Sequence, residues 1–171
     1  MAANKYVGLI SGKLKEVFGL VVSAGVGDAN KLVALDSTGK LDNSVMPIGI
    51  GPEVLTIVAS EALASGDFVN IFDNAGTINV RKADASTSGK PAHGFVLASV
   101  LISGTATVYL ISQTNNQLSS LTIGVDYYLS TTPGSLTATP PSASGNVVQF
   151  LGRAHSTTAL VFVNEQTIEV S

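Results

Sequence analysis

The chain's 171 residues suffice for one well-buried domain with an appendage but not for two ordinary domains. They are 45% hydrophobic and 12% charged, about half the usual charged share, which excludes a highly solvated disordered chain and leaves a neutral surface suited to sharing with other subunits. The absence of cysteine excludes disulfides, thiolate metal sites and cysteine nucleophiles, and the net charge of −3, with five lysines against four carboxylates in 1–52 and four cations against eight carboxylates in 53–171, offers no basic face for nucleic acid.

The first stretch, "YVGLISGKLKEVFGLVVSA" from Tyr6, is apolar but broken by Lys13, Lys15 and Glu16, so no uninterrupted run reaches the roughly 18 residues of a membrane span. No targeting segment is read there, and synthesis in a cytosol is expected. Tyr6, Ile10, Leu14, Val17 or Phe18, and Val21 recur at the spacing of one helix face. Gly8, Gly12 and Gly19 each weaken such a helix by roughly 1 kcal/mol relative to Ala, so a frayed or extended segment is expected unless the chain's own core or a partner covers its apolar face. The following "SAGVGDANK" lacks the Gly before Lys31 that a phosphate loop needs, Asn30 standing there, and reads as a bend.

"LVALDSTGKLD" predicts a small hairpin, with Leu32, Ala34 and Leu41 flanking the turn Asp36–Gly39. Such a hairpin is marginal in water by itself. Pro47 and Pro52 then bracket "IGIG" and favour extended backbone. Residues 1–52 therefore hold apolar side chains without the local mass to bury them.

From Glu53 onward, short β-branched and aromatic runs are cut by Gly, Pro, Asn and Ser at the intervals of an all-β fold. The predicted strands are 54–59, 67–72, 77–83, 92–100, 106–112, 125–130, 135–140, 146–156, 159–164 and 167–170. Gly66, Gly76 and Gly94 recur 58 residues later as Gly124, Gly134 and Gly152. This spacing predicts two related motifs, about 60–112 and 118–164, packed about a pseudo-twofold axis. The expected architecture is an all-β knob over 53–171, a β-sandwich or β-barrel, preceded by an extended, partly helical or hairpin arm over 1–52.

No residue constellation points to catalysis, a cofactor or a metal. His93 and His155 are the two histidines, and neither stands in a zinc-ligand spacing. Asp67 and Asp126 read as turn caps at strand starts, and no GxSxG elbow is present. Arg81 and Lys82 read as a solvated strand end, and Tyr127 and Tyr128 as one core and one surface aromatic. A small hydrolase is disfavoured accordingly.

"LVALDSTGKLDNSVMPIGIG" resembles the N-terminal segments of tailed-bacteriophage virion proteins, and the run from "GKPAHGFVLASV" to "TTALVFV" resembles the β domain of phage capsid decoration (cement) proteins. "YYLSTTPGSLT" and "GNVVQFLG" are also similar to modules of phage tail fibres. The resemblance implies a knob on the capsid exterior, a homotrimer, with arms that reach across neighbouring major capsid proteins and clamp the shell against internal DNA pressure. It implies neither a nucleic-acid nor a membrane partner. The expected capsid contacts are Leu32, Val33, Leu35, Leu41, Val45, Met46, Pro47 and Ile48, for their apolar character in a turn-rich arm. The alternative is a tail-fibre or adsorption module that recognises the host surface.

Overall fold

A computed structural model describes residues 5–46 and 51–171, and the chain divides into two compact units, Met1–Gly51 and Pro52–Ser171. Pro47, Ile48, Gly49 and Ile50 lie outside the described residues. The first unit contains one antiparallel hairpin, β1 (Lys5–Ile10) and β2 (Lys13–Phe18), followed by short 3-10 turns at Val26–Asp28 and Asn43–Val45. Over Lys5–Phe18 the segment with helical spacing is extended, as a hairpin and not a helix. Ser11 and Gly12 both take positive φ, 51° and 74°, which makes them the two-residue turn whose twist matches a hairpin, while Val, Ile and Phe favour pleated backbone.

The second unit begins with a closed five-stranded barrel of β3 (Val54–Ala59), β4 (Phe68–Asn74), β5 (Thr77–Lys82), β6 (Gly94–Val96) and β7 (Thr105–Tyr109). Around the barrel the order is β3-β5-β4-β6-β7, with β3 and β5 parallel and every other pair antiparallel. Five strands enclose a narrow interior, and small or β-branched side chains fill it: Ala59, Val69, Val80, Val96, Ala106 and Val108, with Ile57 towards one end. At the β4–β5 turn Ala75 and Gly76 have positive φ, and the Asp73 carboxylate accepts the Gly76 N–H at 2.9 Å.

Seven shorter strands follow: β8 (Thr114–Asn115), β9 (Asp126–Leu129), β10 (Leu136–Thr137), β11 (Val147–Val148), β12 (Phe150–Arg153), β13 (Leu160–Val161) and β14 (Ile168–Glu169). They form a three-stranded sheet β10-β9-β12 and the pairs β8–β13 and β11–β14. A second core lies between these elements and the barrel. Phe68, Phe95 and Phe162 are fully buried there with ring centroids 5.9–6.3 Å apart, and Tyr109 stacks on Phe95 at 5.6 Å.

The two halves share strand pairing. Val69 pairs with Gly94 and Phe68 with Phe95; 58 residues on, Tyr127 pairs with Gly152 and Asp126 with Arg153. Equivalent positions, however, do not meet across the second core. Phe68 and Phe95 point into it, whereas Asp126 and Arg153 form a two-pronged ion pair on an outer face, at 2.7 and 3.2 Å. Tyr127 and Leu129 supply that core from β9 instead. Opposite faces of the two motifs are therefore buried, Phe68 and Phe95 from the first and Tyr127 and Leu129 from the second.

Gly94 and Gly152 are needed for close approach. A Cβ on Gly94 would lie 2.5 Å from the Tyr109 carbonyl oxygen, and one on Gly152 would strike the Val161 carbonyl. Gly124, by contrast, has φ +81° with open space around it. Gly94→Ala is expected to destabilise the chain by about 2–3 kcal/mol through forced strand separation, and Gly124→Ala by about 1 kcal/mol through its backbone conformation. Urea midpoints of the two variants check this, and the reverse order would remove the close-approach explanation.

Candidate functional site

Residues 5–46 are ordered without a core, for none of them is buried. In β1–β2 the pairs Lys5–Phe18, Val7–Glu16 and Leu9–Leu14 share one face. Val7, Leu9, Leu14 and Phe18 on that face are each 65–76% exposed, and Lys5 ties it with an ion pair to Glu16 at 2.8 Å and a position over the Phe18 ring. Beyond the hairpin, order comes from carboxylates that cap turns. Asp28 accepts the Ala24 N–H at 2.6 Å and pairs with Lys31 at 2.5 Å. Asp36 Oδ1 accepts from the Thr38 N–H, the Thr38 hydroxyl and the Lys40 N–H at 2.7–3.0 Å. Asp42 accepts the Ser44 N–H at 2.9 Å, and Ser44 Oγ accepts the Ser23 N–H at 2.8 Å.

These bonds hold all three carboxyls below the usual carboxylate range: the Lys31 ammonium first for Asp28, the Lys40 N–H for Asp36 and Ser44 for Asp42. Each turn is consequently complete at neutral pH.

The turn at Asp36–Gly39 is present, closed by the Gly39 N–H on the Asp36 carbonyl at 3.1 Å, but the two strands predicted to flank it are absent. Residues 32–34 bond to Leu20 instead: the Leu20 N–H reaches the Leu32 carbonyl and the Ala34 N–H reaches the Leu20 carbonyl, both at 2.8 Å. Asp36 spends its side chain on its own turn, and the Leu20 backbone takes the incoming segment 32–34. Among the expected contact residues, Leu32, Val33, Leu35 and Leu41 are 46–58% exposed and Val45 and Met46 are half-buried. Val33, Val45 and Met46 line one shallow hollow of about 370 Å³, together with Leu20 and Lys31. The expected extended segment was not resolved into a hairpin with an apolar face, although the Ser11-Gly12 dipeptide between apolar runs was a usable turn signal.

The remaining polar candidates serve structure. Asp67 accepts the Ala64 N–H at 2.8 Å and pairs with Lys82 at 3.3 Å. Arg81 donates to Asn70 Oδ1 at 3.0 Å and to the Gly89 carbonyl at 3.1 Å, and its guanidinium lies over Phe72. Tyr127 is buried with its hydroxyl accepting the Thr122 N–H at 2.9 Å, while Tyr128 is half-buried on the other face. His155 is exposed in a turn, its N–H on the Ala159 carbonyl. Among the described residues no group of three or more His, Asp or Glu side chains is placed to hold a metal ion, and no helix is long and apolar enough to cross a membrane.

No family model matches the chain, and no curated protein matches it. Among solved structures, the head fiber gp8.5 N base of bacteriophage phi29 is similar over 66% of this chain and 95% of that one, at 14% sequence identity and a TM-score of 0.43.

His93 supplies a pH test of the β domain. Its Nδ1 accepts the Ile71 N–H at 3.0 Å, a bond available only while that nitrogen is unprotonated, and burial lowers the pKa from the ordinary 6.5. Below pH 6.5 the unfolded chain binds the proton more readily than the folded one, so this stability is complete above that pH and is lost as pH falls towards the depressed folded value. Urea midpoints of the wild-type chain are expected to drop between neutral pH and about pH 5 more than those of His93→Asn, which keeps an acceptor and does not titrate. Equal drops would assign the effect elsewhere.

Proposed function

We infer that this chain is a non-enzymatic structural protein of a tailed-bacteriophage head, whose residues 1–52 dock on the outer surface of the capsid. The observation that carries this reading is the ordered but coreless stretch 5–46: defined by carboxylate-capped turns and a hairpin, it holds Val7, Leu9, Leu14, Phe18, Leu32 and Leu41 outward. A surface of that kind is stabilised by burial on a partner, at roughly 25 cal/mol per Å² of apolar area removed from water. The resemblance of "ALDSTGKLD" and its surroundings to virion proteins names the partner, the major capsid protein.

In this reading the β domain is the exterior knob and the chain is a homotrimer. Three arms on one particle site raise the effective concentration of each after the first has docked, so modest contacts become a durable clamp between neighbouring capsid subunits. Leu32, Val33, Leu35, Leu41, Val45 and Met46 make those contacts, with Pro47 and Ile48 beyond them and the Val7–Phe18 hairpin face beside them.

Full-length chain carrying Leu32→Asp, Leu35→Asp and Leu41→Asp is expected to lose at least tenfold in co-sedimentation with capsids that lack the protein. Its melting temperature should stay unchanged, because none of the three residues lies in a core. Undiminished capsid binding would overturn the arm's role. Binding of the wild-type chain to tails and not to heads would replace the reading with the adsorption module.

A further inference from the structure

The outer face of the β10-β9-β12 sheet carries a built side-chain array that the capsid reading does not use. On β9, Asp126 and Tyr128 are two residues apart and so share a face. On β12, Phe150 and Arg153 are three apart and would ordinarily face opposite ways. A β-bulge at Leu151 restores their alignment: Phe150 pairs with Tyr128 and Arg153 with Asp126, the register shifting between Phe150 and Gly152 while Leu151 turns inward and is fully buried. Bulges re-aim side chains in this way and recur beside binding sites.

The result is an aromatic corner next to a paired carboxylate and guanidinium. Tyr128 and Phe150 have ring centroids 5.8 Å apart and planes inclined at 62°. With Glu165 and Gln166 these four side chains line a hollow of about 440 Å³, to which Val148 and Ile168 add apolar surface. Glu165 and Gln166 also line a second hollow of about 420 Å³ on their other side, with His93, Asn164 and Thr167. Gln149 fixes the wall between sheet and tail: it exchanges bonds of 2.7 and 2.9 Å with the Ala92 backbone and donates to the Glu165 carbonyl at 3.3 Å.

We propose that this trough is a binding site for a neutral oligosaccharide. Aromatic rings set at an angle cover the apolar C–H faces of a pyranose, and a carboxylate beside a guanidinium presents acceptor and donor together to adjacent hydroxyls. Gln166, Asn164 and Thr167 extend the same two-way hydrogen bonding into the second hollow, so more than one sugar ring is accommodated. The charge selects against acidic sugars. Among the described residues Arg153 is the one cation lining the first hollow and is already claimed by Asp126, which leaves the Glu165 carboxylate unbalanced. The site is independent of the capsid reading, and its test contains no capsid.

Isotope-labelled full-length chain would be titrated with neutral trisaccharides of glucose, galactose and N-acetylglucosamine, and with a sialylated trisaccharide. Saturable shifts confined to Tyr128, Phe150, Arg153 and Gln166 are expected with at least one neutral sugar. Tyr128→Ala and Phe150→Ala should each weaken the binding about tenfold. Arg153→Gln, at the exposed rim, should weaken it without a change in melting temperature and covers the case in which an aromatic variant unfolds. Absence of saturable shifts with every neutral sugar, shifts that survive the variants, or preference for the sialylated sugar would each overturn the proposal.

Discussion

Two adjacent strands with both faces buried hold the β domain together. On β4, Phe68 points into the aromatic core and Val69 into the barrel; on β6, Phe95 and Val96 divide in the same way, and all four are buried to within 1%. The barrel interior and the aromatic core therefore cannot be altered separately. Aromatic side chains fit only the roomier outer space, and the narrow barrel takes Val and Ala. The short strands from β8 onward depend on this arrangement, since Phe162 completes the ring cluster that Phe68 and Phe95 begin. Polar residues enter the interior only where their bonds are met: Asn115 donates to the Gly66 carbonyl at 2.9 Å, and among the described residues no buried side-chain nitrogen or oxygen lacks a partner.

Shared pairing with opposite burial explains how one backbone pattern serves two ends. The Phe68–Phe95 pair and the Asp126–Arg153 pair occupy the same register 58 residues apart, yet one is a core contact and the other an exposed ion pair whose mutual attraction holds the carboxyl below its usual range. Gly94 and Gly152 are common to both because a Cβ at either would strike the backbone carbonyl of a neighbouring strand, that of Tyr109 or of Val161. In the second motif the positions equivalent to Phe68 and Phe95, Asp126 and Arg153, lie outside the aromatic core. The bulge at Leu151 then places two rings, a carboxylate and a guanidinium together on the outer face.

The first unit follows a different rule. Order there rests on local hydrogen bonds from Asp28, Asp36 and Asp42, each of which satisfies backbone donors within a few residues. Those bonds need no burial, so Leu32, Leu41 and the hairpin face stay exposed. A segment built this way presents a defined apolar surface, and the proposed docking would cost little further ordering.

By itself the sequence determined the all-β class and nearly all strand positions after Glu53, because alternation and Gly, Asn and Pro punctuation are local signals; Val54–Ala59 matches to the residue. Glycine spacing likewise exposed the 58-residue recurrence. Local signals misled where two periods overlapped: Tyr6, Ile10, Leu14 and Val17 fit a helical step, but Ser11-Gly12 folded them into a hairpin. The turn at Asp36 was legible and its strands were not, since the Leu20 backbone that captured residues 32–34 lies a dozen positions away. Only the tertiary structure decided barrel closure, which face of each motif is buried, and the alignment of Phe150 with Arg153. Each of those depends on pairings between distant residues and on one extra residue in a strand, and neither leaves a periodic trace in the chain.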